Sequence, residues 1–409
     1  MKKLIKLLTA TAAVLGLSLA VVLGTADYFT PDSFTVTAGS RLEWLSGAFS
    51  ISGDNPDVSA STNTSLPRTY RGELMLYNLI PVKAVDVSYV DETCVIPCGT
   101  PFGIKMFTNG VMIVGLADIQ TADGPVNPAK QAGLQVGDVV ETVNGNTVNT
   151  NSEVADAVEH SKGKELSMVV RRDSKTVFVA LDPVVSSSDG LYKAGLWVRD
   201  STAGIGTLTF YDPTAKSFAG LGHGICDSDT GELMPLLTGD IVPVTINGIT
   251  KGMEGKPGEL RGYFSDDKAI GNLNANINSG VYGTLNSAPS GKALKVAMKQ
   301  EVKTGPAKVL TTIDGGRPQY YDIQIEKIDY RDNVQCKNLV IHITDSRLLT
   351  QTGGIIQGMS GSPIIQNGML AGAVTHVFVN DPTRGYGIFA ESMLNASQSV
   401  NSSASSKAS

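Results

Sequence analysis

Ser360 lies in Gln357-Gly358-Met359-Ser360-Gly361-Ser362-Pro363, with a glycine two places before it and one place after. Such glycines permit a tight turn that exposes the hydroxyl and aims backbone N–H groups at one point. A serine hydroxyl is a poor nucleophile until an imidazole takes its proton. The 409-residue chain offers four histidines. His223 sits in Gly222-His223-Gly224, where small neighbours leave its ring accessible, and it is the best base. His160 closes a helical pattern and falls on the surface, while His342 alternates within Leu339–Ile343 and faces one side of a strand. His376 follows Thr375, sixteen residues after Ser360, and either touches substrate or packs within its strand. A third group must orient the imidazole. Asp345 ends a strand pattern fifteen residues before Ser360; Asp227, Asp229 and Asp240 fit turns. The competing reading of 357–363 is a plain Gly/Ser turn, and Ser362 is the next hydroxyl in line as nucleophile.

These residues need a scaffold, and the composition points to strands. Gly is abundant (44 residues) and aromatics are few (6%), which favours tight turns and short strands over long helices. Residues 190–395 are strand-like pieces separated by Gly, Asn and Asp, with one possible helix at 291–299, and read as an all-β barrel or sandwich. Before them, Asn127–Gly133 reads as a short helix: Asn as cap, Pro in the first turn, Gly as terminator. Val139–Val143 alternates as a strand, Asn144-Gly145 is a hairpin turn, and Asn151–His160 has helical spacing. This order, with Ala132-Gly133-Leu134…Gly137-Asp138, resembles a PDZ domain of the bacterial protease-associated kind over 96–185. The resemblance implies an extended peptide ligand, with Pro101, Phe102, Gly103 and Ile104 as the loop whose N–H groups cap the chain terminus; the competing reading of these four residues is a plain strand entry.

The flanks carry other signals. Lys2, Lys3 and Lys6 precede an uncharged stretch, Leu7–Gly24. Residues 1–26 therefore read as a signal peptide or a membrane anchor, with the rest of the chain exported. Within the N-terminal region, 27–95, the stretch 50–67 has almost no large apolar residue and reads as an exposed linker, open to proteases. The Ser- and Ala-rich tail, 396–409, reads as disordered. A net charge of −6 argues against nucleic acid as a partner. Cys94 and Cys98 lack two further zinc ligands nearby and, on an extended strand, lie too far apart to bond; Cys226 and Cys336 read as packed side chains.

The pattern around Ser360 resembles the nucleophile loop of chymotrypsin-like serine proteases, which implies that the amides of Gly358 and Ser360 form the oxyanion hole. Longer runs, Thr352–Gly368 and Ala373–Gly387, together with Gly-His-Gly-Ile at 222–225, resemble the stage IV sporulation protein B peptidase family over about 75–395. The fold class implied is mainly β: an N-terminal membrane segment, a PDZ domain, then a chymotrypsin-like double β-barrel serine peptidase domain. The implied triad is His223, Asp345 and Ser360, with Thr375 and His376 as a possible substrate pocket and no metal or cofactor. The resemblance further implies export across the forespore inner membrane into the intermembrane space, self-cleavage, and cleavage of a membrane-bound regulator that triggers processing of a mother-cell sigma factor precursor. Two features depart from digestive enzymes: Met359, not Asp, precedes the nucleophile, and the Asp comes only fifteen residues before the Ser. The alternatives are a non-catalytic anchored PDZ scaffold and a general envelope quality-control protease.

Overall fold

The computed structural model describes residues 11–407 except 12, 15, 19–20, 22–23, 26, 38–43, 45–46, 53–67 and 267. Much of the expected membrane segment, 1–26, and positions 53–67 of the expected cleavage region lie outside the described residues. Ser50–Ser52 belong to a strand. No helix among the described residues is long and apolar enough to cross a membrane.

The chain is mainly β. Twelve strands form two closed six-stranded barrels. In the first, β1 (Pro101–Leu116), β2 (Leu196–Asp212), β3 (Ser217–Gly220), β4 (Leu236–Val242), β5 (Gly271–Ile277) and β6 (Gly280–Leu285) pair in the order β1-β4-β5-β6-β3-β2, and β2 closes back on β1. In the second, β7 (Gly305–Thr311), β8 (Gln319–Ile328), β9 (Leu339–Ile343), β10 (Pro363–Gln366), β11 (Met369–Phe378) and β12 (Asp381–Phe389) close as β7-β8-β9-β12-β11-β10. Period-two alternation marks some of these strands, while others, such as Ser217–Gly220, are buried on both faces. Along β9, Leu339, Ile341 and Ile343 point into the core while Val340 and His342 do not. His342 instead meets Glu326 at 3.2 Å, as expected of a residue on one face. Each large aliphatic residue buried this way contributes roughly 1.5–3 kcal/mol.

The PDZ unit is built onto the first barrel by shared strands. The beginning of β1 (101–107) pairs with 201–207 of β2 inside the barrel; its end (112–116) pairs with 196–199 inside the PDZ unit. There the chain adds strands Val139–Val143, Leu166–Arg172 and Lys175–Leu181 and helix α1 (Asn151–His160), around a core of Val111, Ile113, Val140, Val154, Leu166 and Val170. A PDZ unit taken as 96–185 therefore includes the barrel half of β1, Pro101–Phe107.

Three further expectations change. Pro101–Ile104 is not a loop: it is paired to β2, and Gly103 and Ile104 also to β4, so its backbone groups are engaged in the sheet. Gly103 is required by close approach, because an added Cβ would lie 2.6 Å from the Phe264 ring and 2.7 Å from Val242. The tail forms a helix, α3 (Ala390–Lys407), whose Met393 and Leu394 are buried and whose Asn401 donates to Ser217 Oγ at 3.0 Å. Residues 291–299 contain the short strand Leu294–Lys295, with a 3-10 turn at Lys299–Glu301, in place of a helix. In the N-terminal region, strands Ser33–Thr37, Ile80–Val90, Arg68–Leu76 and Phe49–Ser52 form a sheet in that order. It rests against the second barrel through Trp44 on Tyr330.

Candidate active site

A cavity of about 790 Å³ lies between the barrels, and Ser360, Gly358, His223, Thr375 and His376 all line it. The turn carrying Ser360 is fixed from both sides. Met359 is fully buried in the core of the second barrel, which explains an apolar residue before Ser360. From the first barrel, buried Thr207 donates its hydroxyl to the Gly358 carbonyl (2.7 Å) and its amide to the Ser360 carbonyl (3.0 Å). The Gly361 amide bonds the Val374 carbonyl at 2.7 Å. Gly358 (φ +96°) and Gly361 (φ +93°) occupy left-handed conformations, and a Cβ on Gly361 would stand 2.1 Å from the Thr207 carbonyl oxygen. With both carbonyls turned toward Thr207, the Gly358 and Ser360 amides have no hydrogen-bond partner among the described residues. Ser362 is fully buried and donates to Thr311 Oγ1 at 2.9 Å, so it offers no accessible hydroxyl.

His223 follows β3 on the opposite wall. Gly222 (φ +71°) lets this loop press on the second barrel, since a Cβ there would reach Thr375 at 2.9 Å and Ile388 at 3.0 Å. The imidazole Nδ1 lies 2.8 Å from the Gly224 carbonyl oxygen. A carbonyl carries no proton, so Nδ1 is the donor, and in the neutral ring Nε2 keeps its lone pair. Burial pushes the His223 pKa below the usual imidazole value of 6.5, opposed by the bond to Gly224. The His376 ring packs against it, with centroids 4.8 Å apart and planes tilted 37°. His376 is held down too, first by lost hydration in the cleft, then by repulsion from His223 when that ring is protonated and from Lys337.

The Ser360 hydroxyl donates to the Thr375 carbonyl at 2.7 Å rather than to His223. Thr375 is itself anchored, its hydroxyl donating to the Cys336 carbonyl at 2.6 Å. Serine and histidine thus share one cavity, with the hydroxyl turned to a backbone acceptor. Catalytic bonds often tighten only once substrate is present.

Asp345 is not brought to this pair. It caps helix α2 (Ser346–Thr352), accepting from the Arg347 amide at 2.9 Å, and its carboxylate also takes the Arg347 guanidinium (2.8 Å) and the Asp322 amide (3.2 Å). The guanidinium holds the carboxyl far below the usual range. This side chain is not among those lining the cavity, and the atom that orients His223 is the Gly224 carbonyl. Sequence reasoning missed that carbonyl, and it missed Thr207, whose place in an alternating strand carries no chemical signal.

A second cavity, about 640 Å³, lies in the PDZ unit between α1 and the chain at 191–198, lined by Val154, Val158, Leu191, Tyr192 and Leu196. This groove, not Pro101–Ile104, is the concave apolar surface available to a peptide there. Its Tyr192 amide bonds Glu159 at 2.9 Å. All four cysteines are free, and among the described residues no group of three or more His, Cys, Asp or Glu side chains is arranged to hold a metal ion.

Parts of the chain are similar to known proteins. The family model described as SpoIVB peptidase S55 matches residues 190–394, half of the chain, and a PDZ domain model matches 125–172. Serine protease HTRA1 of Xenopus laevis is 37% identical over 59 residues, 14% of this chain and 12% of that protein. The regulator of sigma-W protease RasP of Bacillus subtilis is 33% identical over 55 residues, 13% of each. The chain therefore spans about an eighth of the length of these relatives. Among solved structures, the inactive form of Rv3671c protease is 15% identical, with a TM-score of 0.29, covering 48% of this chain and 84% of that one.

Proposed function

Because the chain belongs to the SpoIVB peptidase S55 family, we propose that it is a serine endopeptidase working by acyl transfer, with Ser360 as nucleophile and His223 as base. The observation that carries this reading is the shared cavity: a serine on a turn fixed from both barrels, an imidazole whose Nδ1 is bonded to the Gly224 carbonyl, and two amides without a hydrogen-bond partner among the described residues. When a peptide enters, the Ser360 hydroxyl turns from Thr375 to His223 Nε2. Its oxygen attacks the scissile carbonyl carbon while the proton passes to Nε2. The negative oxygen is held by the Gly358 and Ser360 amides, which need no reorganisation because Thr207 already fixes the loop. Nε2–H then protonates the leaving amine, giving an acyl-enzyme that water hydrolyses by the same steps. Gly224 takes the orienting part, and Asp345 supports the loop without touching the imidazole.

The biological setting is equally a proposal, and it rests on family membership. The protein acts in sporulation signalling, exported across the forespore inner membrane and held there or released into the intermembrane space. It cuts itself within 50–67, then cuts a membrane-bound regulator of sigma-factor processing, with the PDZ unit holding a peptide of itself or of the target. Ser360→Ala tests the core of this. Full-length Ser360→Ala protein stays uncut where the wild type yields fragments, and N-terminal sequencing of those fragments gives the bond. A variant that still trims itself, in a host free of other proteases, would remove Ser360 from the mechanism. Intact wild type that binds partners without cutting them would leave a PDZ scaffold.

A further inference from the structure

The wall of the cleft has a chemistry of its own. Half-buried Ile205, Ile225 and Val377 supply apolar surface beside the reacting groups. Among the described lining residues none is Asp or Glu, and the single permanently charged one is Lys337. Lys337 is exposed and set over the Tyr386 ring, its ammonium 5.4 Å from the centroid, and its charge is felt at His376. Glu232 influences Cys226 electrostatically but does not line the wall. We propose that this wall makes the enzyme selective for a neutral apolar residue beside the scissile bond, with Val377 and Lys337 as the residues that reject lysine and arginine. A basic side chain entering here loses water, finds no carboxylate, and meets Lys337 and any protonated imidazole. An aliphatic side chain gains burial against Ile205, Ile225 and Val377.

This inference rests on the peptidase reading, and its test separates the two. A degenerate peptide library is digested with full-length protein and the cut bonds are read by mass spectrometry, with Ser360→Ala protein as the blank. Apolar neutral residues should be enriched, and lysine and arginine depleted, by about tenfold or more next to the cut. Val377→Asp and, at an exposed site that does not risk the fold, Lys337→Glu should each raise cutting beside basic residues. Unbiased or basic-preferring cleavage, or a bias that neither variant moves, overturns the inference. The same library equilibrated with Ser360→Ala protein gives a readout without catalysis. Apolar-biased retention that Val377→Asp abolishes, with no cutting by the wild type, sinks the peptidase reading and leaves the wall's selectivity standing. Neither cutting nor retention overturns both.

Discussion

Ser360 and Asp345 stand fifteen residues apart, both belong to the second barrel, and both are fixed by hydrogen bonds. The bonds differ in what they leave over. Around Ser360, Thr207 and Val374 engage backbone groups of the turn, so the hydroxyl and two amides remain at the cleft. Around Asp345, the Arg347 guanidinium and two amides occupy the carboxylate itself. One loop is held by its backbone and presents chemistry; the other spends its functional group on holding the chain. A residue type at the right spacing is thus not enough: the partners already attached decide whether it can act.

The largest expected effect lies at the proposed nucleophile and base. Ser360→Ala or His223→Ala should each lower turnover by about 10⁴–10⁶ while leaving the melting temperature near that of wild type. Gly361→Ala comes next. A Cβ 2.1 Å from the Thr207 carbonyl oxygen forces the turn away from the first barrel, and kcat should fall by about 10²-fold, together with stability. Thr207→Val removes one hydroxyl bond to the turn. It should lower kcat by roughly tenfold with little change in KM, and Thr207→Ser should restore it. Asp345→Asn is the discriminating case. Asn keeps the cap and loses the ion pair with Arg347, so a capping role predicts a loss of no more than about 1 kcal/mol of stability and nearly full activity, whereas a residue orienting the imidazole predicts a fall of about 10⁴ in kcat. Because Arg347 depresses the Asp345 pKa, this stabilisation is present above the unfolded value of 3.8 and is lost as pH falls through and below it. The smallest effect concerns pH. His223 must be neutral to accept a proton, and burial lowers its pKa, so the acid limb of kcat/KM should lie below 6.5.

Much of the site was legible because glycine leaves marks in a sequence. Gly358, Gly361 and Gly222 all adopt positive φ, and they bracket the serine and the histidine that the cavity brings together. Family resemblance misled at Gly103: it implied a binding loop, while the glycine is there to admit the Phe264 ring against a paired strand. The sharing of β1 and β2 between the PDZ unit and the first barrel depends on pairing between residues about ninety positions apart, which no local pattern records. The tail's serines suggested disorder, but alanines and the buried Met393 and Leu394 give α3 a face to dock. Asp345 was chosen by spacing and family resemblance; its engagement by Arg347 two residues on is a property of the folded cap.

The proposed mechanism requires His223 to make Ser360, and no other serine, a nucleophile. Labelling full-length protein with a fluorophosphonate, then locating the adduct by mass spectrometry, tests it directly. The account predicts an adduct on Ser360 in the wild type, its loss in His223→Ala, and labelling close to wild type in Asp345→Asn. An adduct on Ser362, or labelling of Ser360 that does not depend on His223, would contradict it.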